Sequence, residues 1–313
     1  MSLGRSFKLN SGHDIPAIGL GTWLSKSHEV ENAVDVALRV GYRHVDAAAC
    51  YLNETEVGAG WKKSGVPREQ IFMVSKLWNT HHHPDHVEEG LDKTLKELQT
   101  DYLDLYLMHW PVAFEHTNET LTPIDPATKR FRLADVPVAA TWAALEKLVE
   151  KGKIRSIGVS NFSLGHMREL LQTAEIPPAC NQIEAHPYLQ QPELFKFLKE
   201  NRVDDPTVIE VARKLGKDPA ALLISWGVQR GASVLSKSVT PSRIESNFQG
   251  KVSSNDTSNF TIPDAEFETL NKLDRNQRYN FPFRWGLDLF GELGADEAER
   301  RAEEFAAKQR ASA

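Results

Sequence analysis

The chain has 313 residues, with 43 acidic and 37 basic side chains and a formal net charge of −6. This length suits one large domain spanning residues 1–313, and the acidic balance argues against a nucleic-acid-binding protein, which needs a concentrated basic face. With 2 cysteines, no charged-then-apolar leader and no apolar run of the roughly 20 residues that span a bilayer, we expect a cytoplasmic protein with no membrane partner.

Strands and helices are predicted to alternate after a short N-terminal hairpin. Residues 7–9 and 15–18 flank a turn-rich stretch and should form this hairpin, followed by a short buried strand at 19–23. Further strands are predicted at residues 44–45, 71–74, 103–108, 154–159 and 180–184. Helices are predicted between them, at residues 30–40, 54–63, 84–98, 138–151 and 164–173. This alternation predicts a parallel α/β sheet with crossover helices, and the length suits a barrel.

The alternation fails once in the second half of the chain. Helices are predicted at 192–200 and 206–215, and only the charged segment 201–205 separates them. Because a strand needs about 5 residues plus its turns, we predict that the seventh strand of an eight-stranded barrel is missing. That loss would leave a sheet edge unpaired. Three explanations remain: a segment absent only from this sequence, a splice variant, or a rebuilt edge; we favour one of the first two.

Four side chains of different acid–base chemistry follow three successive predicted strands. Asp46 and Tyr51 follow the first, Lys76 the second and His109 the third. Because parallel barrel strands all point their carboxyl ends to one face, these groups should converge there. Singly they could be a rim salt bridge, a strand-end aromatic and a half-buried histidine. Together they favour a catalytic site.

Three tryptophans, Trp23, Trp78 and Trp110, lie just beyond strands near these four groups. They are expected to shape an apolar substrate pocket, the alternative being packing at the rim. The long irregular segment 110–136 is predicted to form a wall of that pocket. Substrate choice should therefore depend on this segment and on the neighbourhood of Trp285.

Two further segments are expected to take no part in chemistry. His81, His82, His83 and His86 suggest a metal site, but adjacent side chains in one loop diverge, so no metal is predicted. The tail 291–313 is dominated by Glu, Arg, Lys and Ala, and is expected to be a solvated or fraying helix rather than a partner-binding element.

Three long motifs resemble those of the aldo-keto reductases. They are GYRHVDAAACYLNE at 41–54, GKIRSIGVSNF at 152–162 and KSVTPSRI at 237–244. The resemblance runs from about residue 7 to 285 and implies a monomeric (β/α)8 TIM barrel that reduces carbonyl compounds with NADPH. Within the family it is similar to the aldose reductase, glycerol dehydrogenase and glyceraldehyde reductase branch. No Gly-x-Gly-x-x-Gly loop follows a strand, so barrel loops should hold the cofactor.

The same resemblance implies a role for each of the four strand-end groups. Tyr51 would donate a proton to the carbonyl oxygen, and Lys76 would lower the pKa of this phenol, which is near 10 when unperturbed. Asp46 would pair with Lys76, while His109 would orient the substrate oxygen.

The resemblance also implies a set of cofactor-binding residues. The nicotinamide would bind to Ser160, Asn161 and Gln182, and the rest of the cofactor to Thr22, Lys237, Ser238, Val239, Thr240, Arg243 and Asn247. Cations and hydroxyls beside a helix start suit a 2′-phosphate, which favours NADPH over NADH.

Some family features have no counterpart here. Ser236 stands where a proline is usual, and Ser246 where an acidic residue often contacts the adenine. The tyrosine that stacks on the nicotinamide belongs to the missing seventh strand. A catalytically impaired binding or scaffold protein is therefore the alternative to an aldehyde or sugar reductase, whose substrate and direction in the cell stay open.

Overall fold

The computed structural model describes residues 5–200, 219–249 and 261–311. The predicted hairpin is present as the antiparallel strands β1 (Ser6–Lys8) and β2 (Asp14–Pro16). The next strands are β3 (Ile18–Gly21), β4 (His44–Asp46), β5 (Phe72–Leu77) and β6 (Leu105–Met108). The short antiparallel pair β7 (Ala113–Phe114) and β8 (Leu133–Ala134) lies in the segment after β6. The remaining strands are β9 (Ile157–Ser160), β10 (Asn181–Gln182) and β11 (Val234–Ser236).

The helices of the described residues include all five that were predicted between strands. They are α1 (Ser27–Val40), α2 (Glu54–Ser64), α3 (Pro84–Leu98), α4 (Val138–Glu150), α5 (Leu164–Leu170), α6 (Pro192–Glu200), α7 (Pro219–Arg230), α8 (Pro241–Gln249), α9 (Asp264–Asn271) and α10 (Ala295–Ala311). Helix α3 has the predicted bounds because Pro84 favours its first turn and Gln99 ends it in a left-handed conformation. Within these residues no helix combines the length and apolar character needed to cross a bilayer.

Within the described part of the chain, seven parallel strands form one curled sheet in the order β10-β9-β6-β5-β4-β3-β11. Strand β3 pairs with both β4 and β11, so the start of the chain lies beside its later part, as in a barrel. Strands β10 and β11 are the sheet edges, and no described strand lies between them. The predicted loss of a strand falls on 201–205 and the predicted helix 206–215 follows it. Both lie outside the described residues, so these predictions remain untested.

Alternation along the strands places the polar groups at the end of the barrel interior. The interior apolar layer consists of Leu9 and Ile15 of the hairpin region with Phe72, Val74, Leu105, Leu107 and Ala179. Since side chains two residues apart share a face, Lys76 follows Val74 and His109 follows Leu107 on this interior side. The outward-facing Met73 and Tyr106 pack in the larger core under the helices.

The expectation of a solvated or fraying helix in the tail 291–313 is wrong for one face of this helix, which is buried. Helix α10 buries Ala298, Ala302 and Ala306, which share a face at a spacing of four residues. This face packs against the short helical turn Phe283–Trp285. The charged residues occupy the other faces, which is why composition alone suggested a free helix.

Candidate active site

The four predicted acid–base groups meet at the carboxyl ends of β4, β5 and β6. Lys76 Nζ donates hydrogen bonds to Asp46 Oδ2 at 2.7 Å, to the Tyr51 hydroxyl at 3.1 Å and to the Ala47 carbonyl at 2.8 Å. These contacts use all three ammonium donors. Lys76 is fully buried and Asp46 is 3 % exposed. The ammonium is thus fixed in place beside the phenol oxygen.

Local turns bring Tyr51 back over the strand ends. The segment Ala49–Tyr51 forms a single 3-10 turn, and Leu52 leaves it in a left-handed conformation with φ 56°. The following residue, Asn53, anchors this turn because its side-chain amide donates to the carbonyls of Thr22 at 3.0 Å and Ser25 at 3.1 Å. The phenol is therefore held by its backbone as well as by Lys76.

Burial outweighs the ammonium in setting the state of the phenol. Desolvation raises the pKa of Tyr51 to about 12, although Lys76 acts in the opposite direction. For Lys76, burial acts to lower the pKa, but Asp46 and Tyr51 raise it above its usual value. The direction expected for the effect of Lys76 on Tyr51 is correct, but the net shift is upward. At neutral pH the site therefore holds a protonated phenol beside a charged ammonium.

His109 is a neutral imidazole in this site. Burial holds its pKa well below the usual value, and the charge of Lys76 adds to this effect. The imidazole lies edge-on to the Tyr51 ring with centroids 5.9 Å apart, and its Nδ1 is 3.6 Å from Cys50 Sγ. A neutral ring carries one N–H, so His109 can donate one hydrogen bond toward the cavity or its neighbours.

The residues predicted for the nicotinamide are hydrogen-bonded to one another and to two of these four groups, Asp46 and His109. Gln182 Nε2 donates to Asp46 Oδ1 at 2.8 Å, and Ser160 Oγ donates to the Gln182 carbonyl at 2.8 Å. Asn161 Nδ2 donates to Ser160 Oγ and to the His109 carbonyl, both at 3.0 Å. Asn161 has φ 62°, a left-handed conformation that asparagine tolerates better than most residues.

Thr22, also predicted to contact the cofactor, supports Asp46 from the opposite side. Its hydroxyl donates to the Asp46 carbonyl at 2.9 Å, and its side chain is fully buried. The carboxylate of Asp46 is thus positioned through both its backbone and its side chain.

The residues predicted for the phosphate end lie after β11 and at the start of α8. Ser238 is buried, and its hydroxyl accepts from the Thr240 amide at 3.1 Å. Lys237 and Arg243 are exposed cations on either side of this turn. Half-buried Val239 completes the group. Lys237 and Asn247 line the same cavity as Gln182, so this cavity connects the predicted phosphate group to the carboxyl end of β10.

A cavity of about 1250 Å³ lies over Tyr51 and His109, and all three predicted tryptophans line it. Trp23 is 51 % exposed, whereas Trp78 and Trp110 are at most 7 % exposed. The two buried tryptophans pack in an aromatic cluster with Phe114, Phe131 and Trp285. They thus serve both the pocket and the packing of its rim.

The segment 110–136 forms the predicted wall, since its residues 117–122 line the cavity. Trp78 Nε1 donates to the Leu121 carbonyl at 2.6 Å and ties this wall to the end of β5.

A second segment also forms a wall of the cavity, and only its end near Trp285 was predicted from the sequence. Residues 279–285 line the cavity along their whole length. Glu184, just after β10, holds the start of this wall by accepting from the amides of Tyr279 at 2.8 Å and Asn280 at 2.7 Å. Aromatic residues at every second position from 279 to 285 are the signal that could have identified it.

Residues 17–205 match the model of the Aldo/keto reductase family, and this match ends where the missing strand is predicted. Aldo-keto reductase family 1 member A1 of Bos taurus is 41% identical over 303 residues, covering 88% of this chain and 90% of that protein. Aldehyde reductase YPR1 of Saccharomyces cerevisiae is 41% identical over 294 residues, covering 86% of this chain and 91% of that protein.

The NAD(P)H-dependent D-xylose reductase of Scheffersomyces stipitis is 40% identical over 316 residues, covering 90% of this chain and 97% of that protein. The aldose reductase structure from Schistosoma japonicum matches with a TM-score of 0.82 and 38% identity, covering 89% of this chain and 95% of that chain. This structural match confirms the predicted (β/α)8 barrel class.

Proposed function

This chain belongs to the aldo/keto reductase family and is an oxidoreductase, and on that premise we propose that it reduces small aldehydes and ketones with NADPH. The observation that carries the proposal is the position of Lys76, which bonds Asp46 and Tyr51 at once beneath a large cavity. Carbonyl reduction needs a hydride on carbon and a proton on oxygen. The protein must supply the proton.

Tyr51 is the proposed proton donor. Its oxygen accepts a hydrogen bond from Lys76, so its own O–H is available to a carbonyl oxygen in the cavity. As the proton leaves, negative charge develops on the phenol oxygen 3.1 Å from the ammonium. The attraction between the two therefore grows toward the transition state, which is the kind of interaction that accelerates a reaction. Asp46 keeps Lys76 charged and oriented throughout.

His109 and the cavity position the substrate. The neutral imidazole offers a donor for the carbonyl oxygen without adding a positive charge that would compete with Lys76. The tryptophans around the cavity provide apolar walls for the carbon chain. Relatives named aldehyde reductase and D-xylose reductase support small aldehydes, including sugars, as the substrate class.

The donor set of this chain fits a nicotinamide cofactor with a 2′-phosphate. Amide and hydroxyl groups of Ser160, Asn161 and Gln182 suit the carboxamide, and the cations Lys237 and Arg243 suit the phosphate. When bound, NADPH supplies the hydride. Titrating the protein with NADPH and with NADH, followed by quenching of tryptophan fluorescence, should show tighter binding of NADPH. Equal affinities would contradict the proposed phosphate site.

Replacing Tyr51 by Phe tests the proton donor. Turnover of glyceraldehyde or xylose, followed by NADPH absorbance, should fall at least about a hundredfold, because positioned general acids contribute that much or more. NADPH affinity should stay within about twofold, since the phenol is assigned to the proton and not to the cofactor. Tyr102→Phe is the matched control and should keep near-normal turnover, because Tyr102 does not line this cavity and its hydroxyl has no hydrogen-bond partner among the described residues.

Near-normal turnover in Tyr51→Phe would show that another group supplies the proton. The alternative of a catalytically impaired scaffold protein has no support from the comparisons, and the described proton-handling network is complete. That scaffold alternative would gain support if the unmodified chain bound neither NADPH nor NADH.

A further inference from the structure

Two histidines and a glutamate from separate segments meet beside the cavity, away from the four catalytic groups. His81 lies in the turn after β5, Glu89 on α3 and His116 in the segment after β7. One potential ligand atom from each lies within 4.8 Å of the other two. The prediction of no metal considered only the adjacent histidines 81–83 and His86, so it did not include this combination.

One residue, Thr80, orients both imidazoles. His116 Nδ1 donates to the Thr80 carbonyl at 2.9 Å, which leaves the lone pair of His116 on Nε2. His81 Nδ1 is 3.0 Å from Thr80 Oγ1. Histidines that bind metals in proteins are held in this way, with the second ring nitrogen bonded to an oxygen that fixes the tautomer. His116 Nε2 faces Glu89 Oε2 at 3.9 Å.

The surroundings keep these groups together and suited to a cation. Glu89 accepts from Asn118 Nδ2 at 2.9 Å, and His86 Nδ1 lies 3.3 Å from its other oxygen. His86 also stacks on His116 with ring centroids 3.4 Å apart.

We propose that His81, Glu89 and His116 bind a divalent transition-metal ion of the zinc class. Two imidazoles and a carboxylate suit zinc, and water can take the fourth tetrahedral position. Ligand atoms about 2 Å from the ion lie about 3.3 Å apart in a tetrahedron, so the ligand atoms must move closer together by up to about 1.5 Å. The Glu89 side chain is 46 % exposed and can make this movement.

The ion would join the substrate wall to the barrel. His116 and Asn118 belong to the segment 110–136, whereas Glu89 belongs to α3. His81 and Asn118 line the cavity. Metal occupancy would therefore restrict the wall without touching Tyr51 or Lys76. This inference concerns binding alone and does not depend on the proposed reductase activity.

Metal binding should be measured on the full chain after treatment with a chelator. Calorimetric titration with Zn²⁺ should give one site, and Co²⁺ should give the visible absorption of a tetrahedral ion. His116→Gln and Glu89→Gln should each weaken Zn²⁺ binding at least about tenfold, the loss seen when even the orienting partners of ligands are removed.

Two variants serve as matched controls. Glu88→Gln removes the neighbouring carboxylate on α3, which pairs with Lys151 and Lys153 instead. His13→Gln removes an exposed histidine of the N-terminal hairpin turn. Both should bind Zn²⁺ as tightly as the unmodified chain.

Three results would overturn the proposal: no binding of Zn²⁺ or Co²⁺ at millimolar concentration, binding retained by both ligand variants, or equal loss in the controls. Should His116→Gln fail to fold by circular dichroism, the exposed Glu89 variant decides alone.

Discussion

Removing the positive charge at Lys76 tests whether one buried ion pair serves both the fold and the chemistry. Lys76→Met keeps most of the side-chain volume but leaves the carboxylate of Asp46, which is 3 % exposed, without its cation. Breaking a buried pair by removing one partner costs about 3–5 kcal/mol, because an uncompensated charge remains inside. We expect a loss of stability in this range and no measurable turnover.

The double variant Lys76→Met with Asp46→Asn separates the two effects. Asparagine carries no charge and can still bond to the Gln182 amide side chain, so the double variant should be about 1–2 kcal/mol more stable than Lys76→Met.

Urea unfolding of the unmodified chain, both single variants and the double variant measures these free energies, with fluorescence and circular dichroism compared to verify a two-state transition. NADPH oxidation with glyceraldehyde is followed in parallel, and all three variants should be inactive. A cost below about 1 kcal/mol for Lys76→Met, or a double variant as unstable as the sum of the singles, would refute the reasoning.

Two further predictions concern stability. Burial raises the pKa of Glu54 from 4.5 to about 7, although hydrogen bonds from two hydroxyl groups act to lower it. Between pH 4.5 and 7 the folded protein therefore keeps a proton that the unfolded chain has released. The free energy of unfolding of the unmodified protein falls as the pH rises through this range. Glu54→Gln should remove up to about 3 kcal/mol of this dependence, and thermal unfolding should show a larger gain at pH 8 than at pH 5; equal gains would contradict it. A Cβ at Gly60 would lie 2.6 Å from the Glu31 carbonyl, so Gly60→Ala should cost about 1–3 kcal/mol. In the control Gly165→Ala the new Cβ would lie 3.7 Å from its nearest neighbour, so this variant should be neutral or stabilising by up to about 1 kcal/mol. Similar melting temperatures for the two variants would exclude the steric explanation.

Sequence patterns were enough to place the four acid–base groups because strands have a strict period of two. Once Val74 and Leu107 were inside the sheet, Lys76 and His109 had to follow them on the same side at the carboxyl ends. The bounds of α3 were equally accessible, since Pro84 marks its first turn within the sequence itself.

The features that sequence could not supply depend on distant segments meeting. The pKa of Tyr51 is set mainly by burial, which no local pattern reports. Glu89 and His116 are remote in the chain and meet only because the segment after β7 folds back over α3. The alanines of α10 do show a spacing of four, but a high local charge obscured it.

The two cavity walls are fastened to each other as well as to the sheet. Arg130, in the segment 110–136, donates from its two terminal guanidinium nitrogens to the Glu299 carboxylate of α10, both at 2.7 Å, and α10 packs against the wall that ends at Trp285. Substitutions in either segment can therefore move both cavity walls together without altering the strand-end groups. Because Glu299 is 59% exposed, added salt should weaken the Arg130–Glu299 ion pair at concentrations that leave the buried Lys76–Asp46 pair intact. The position of the two walls thus depends on a solvent-exposed ion pair, whereas the strand-end groups are held by buried contacts.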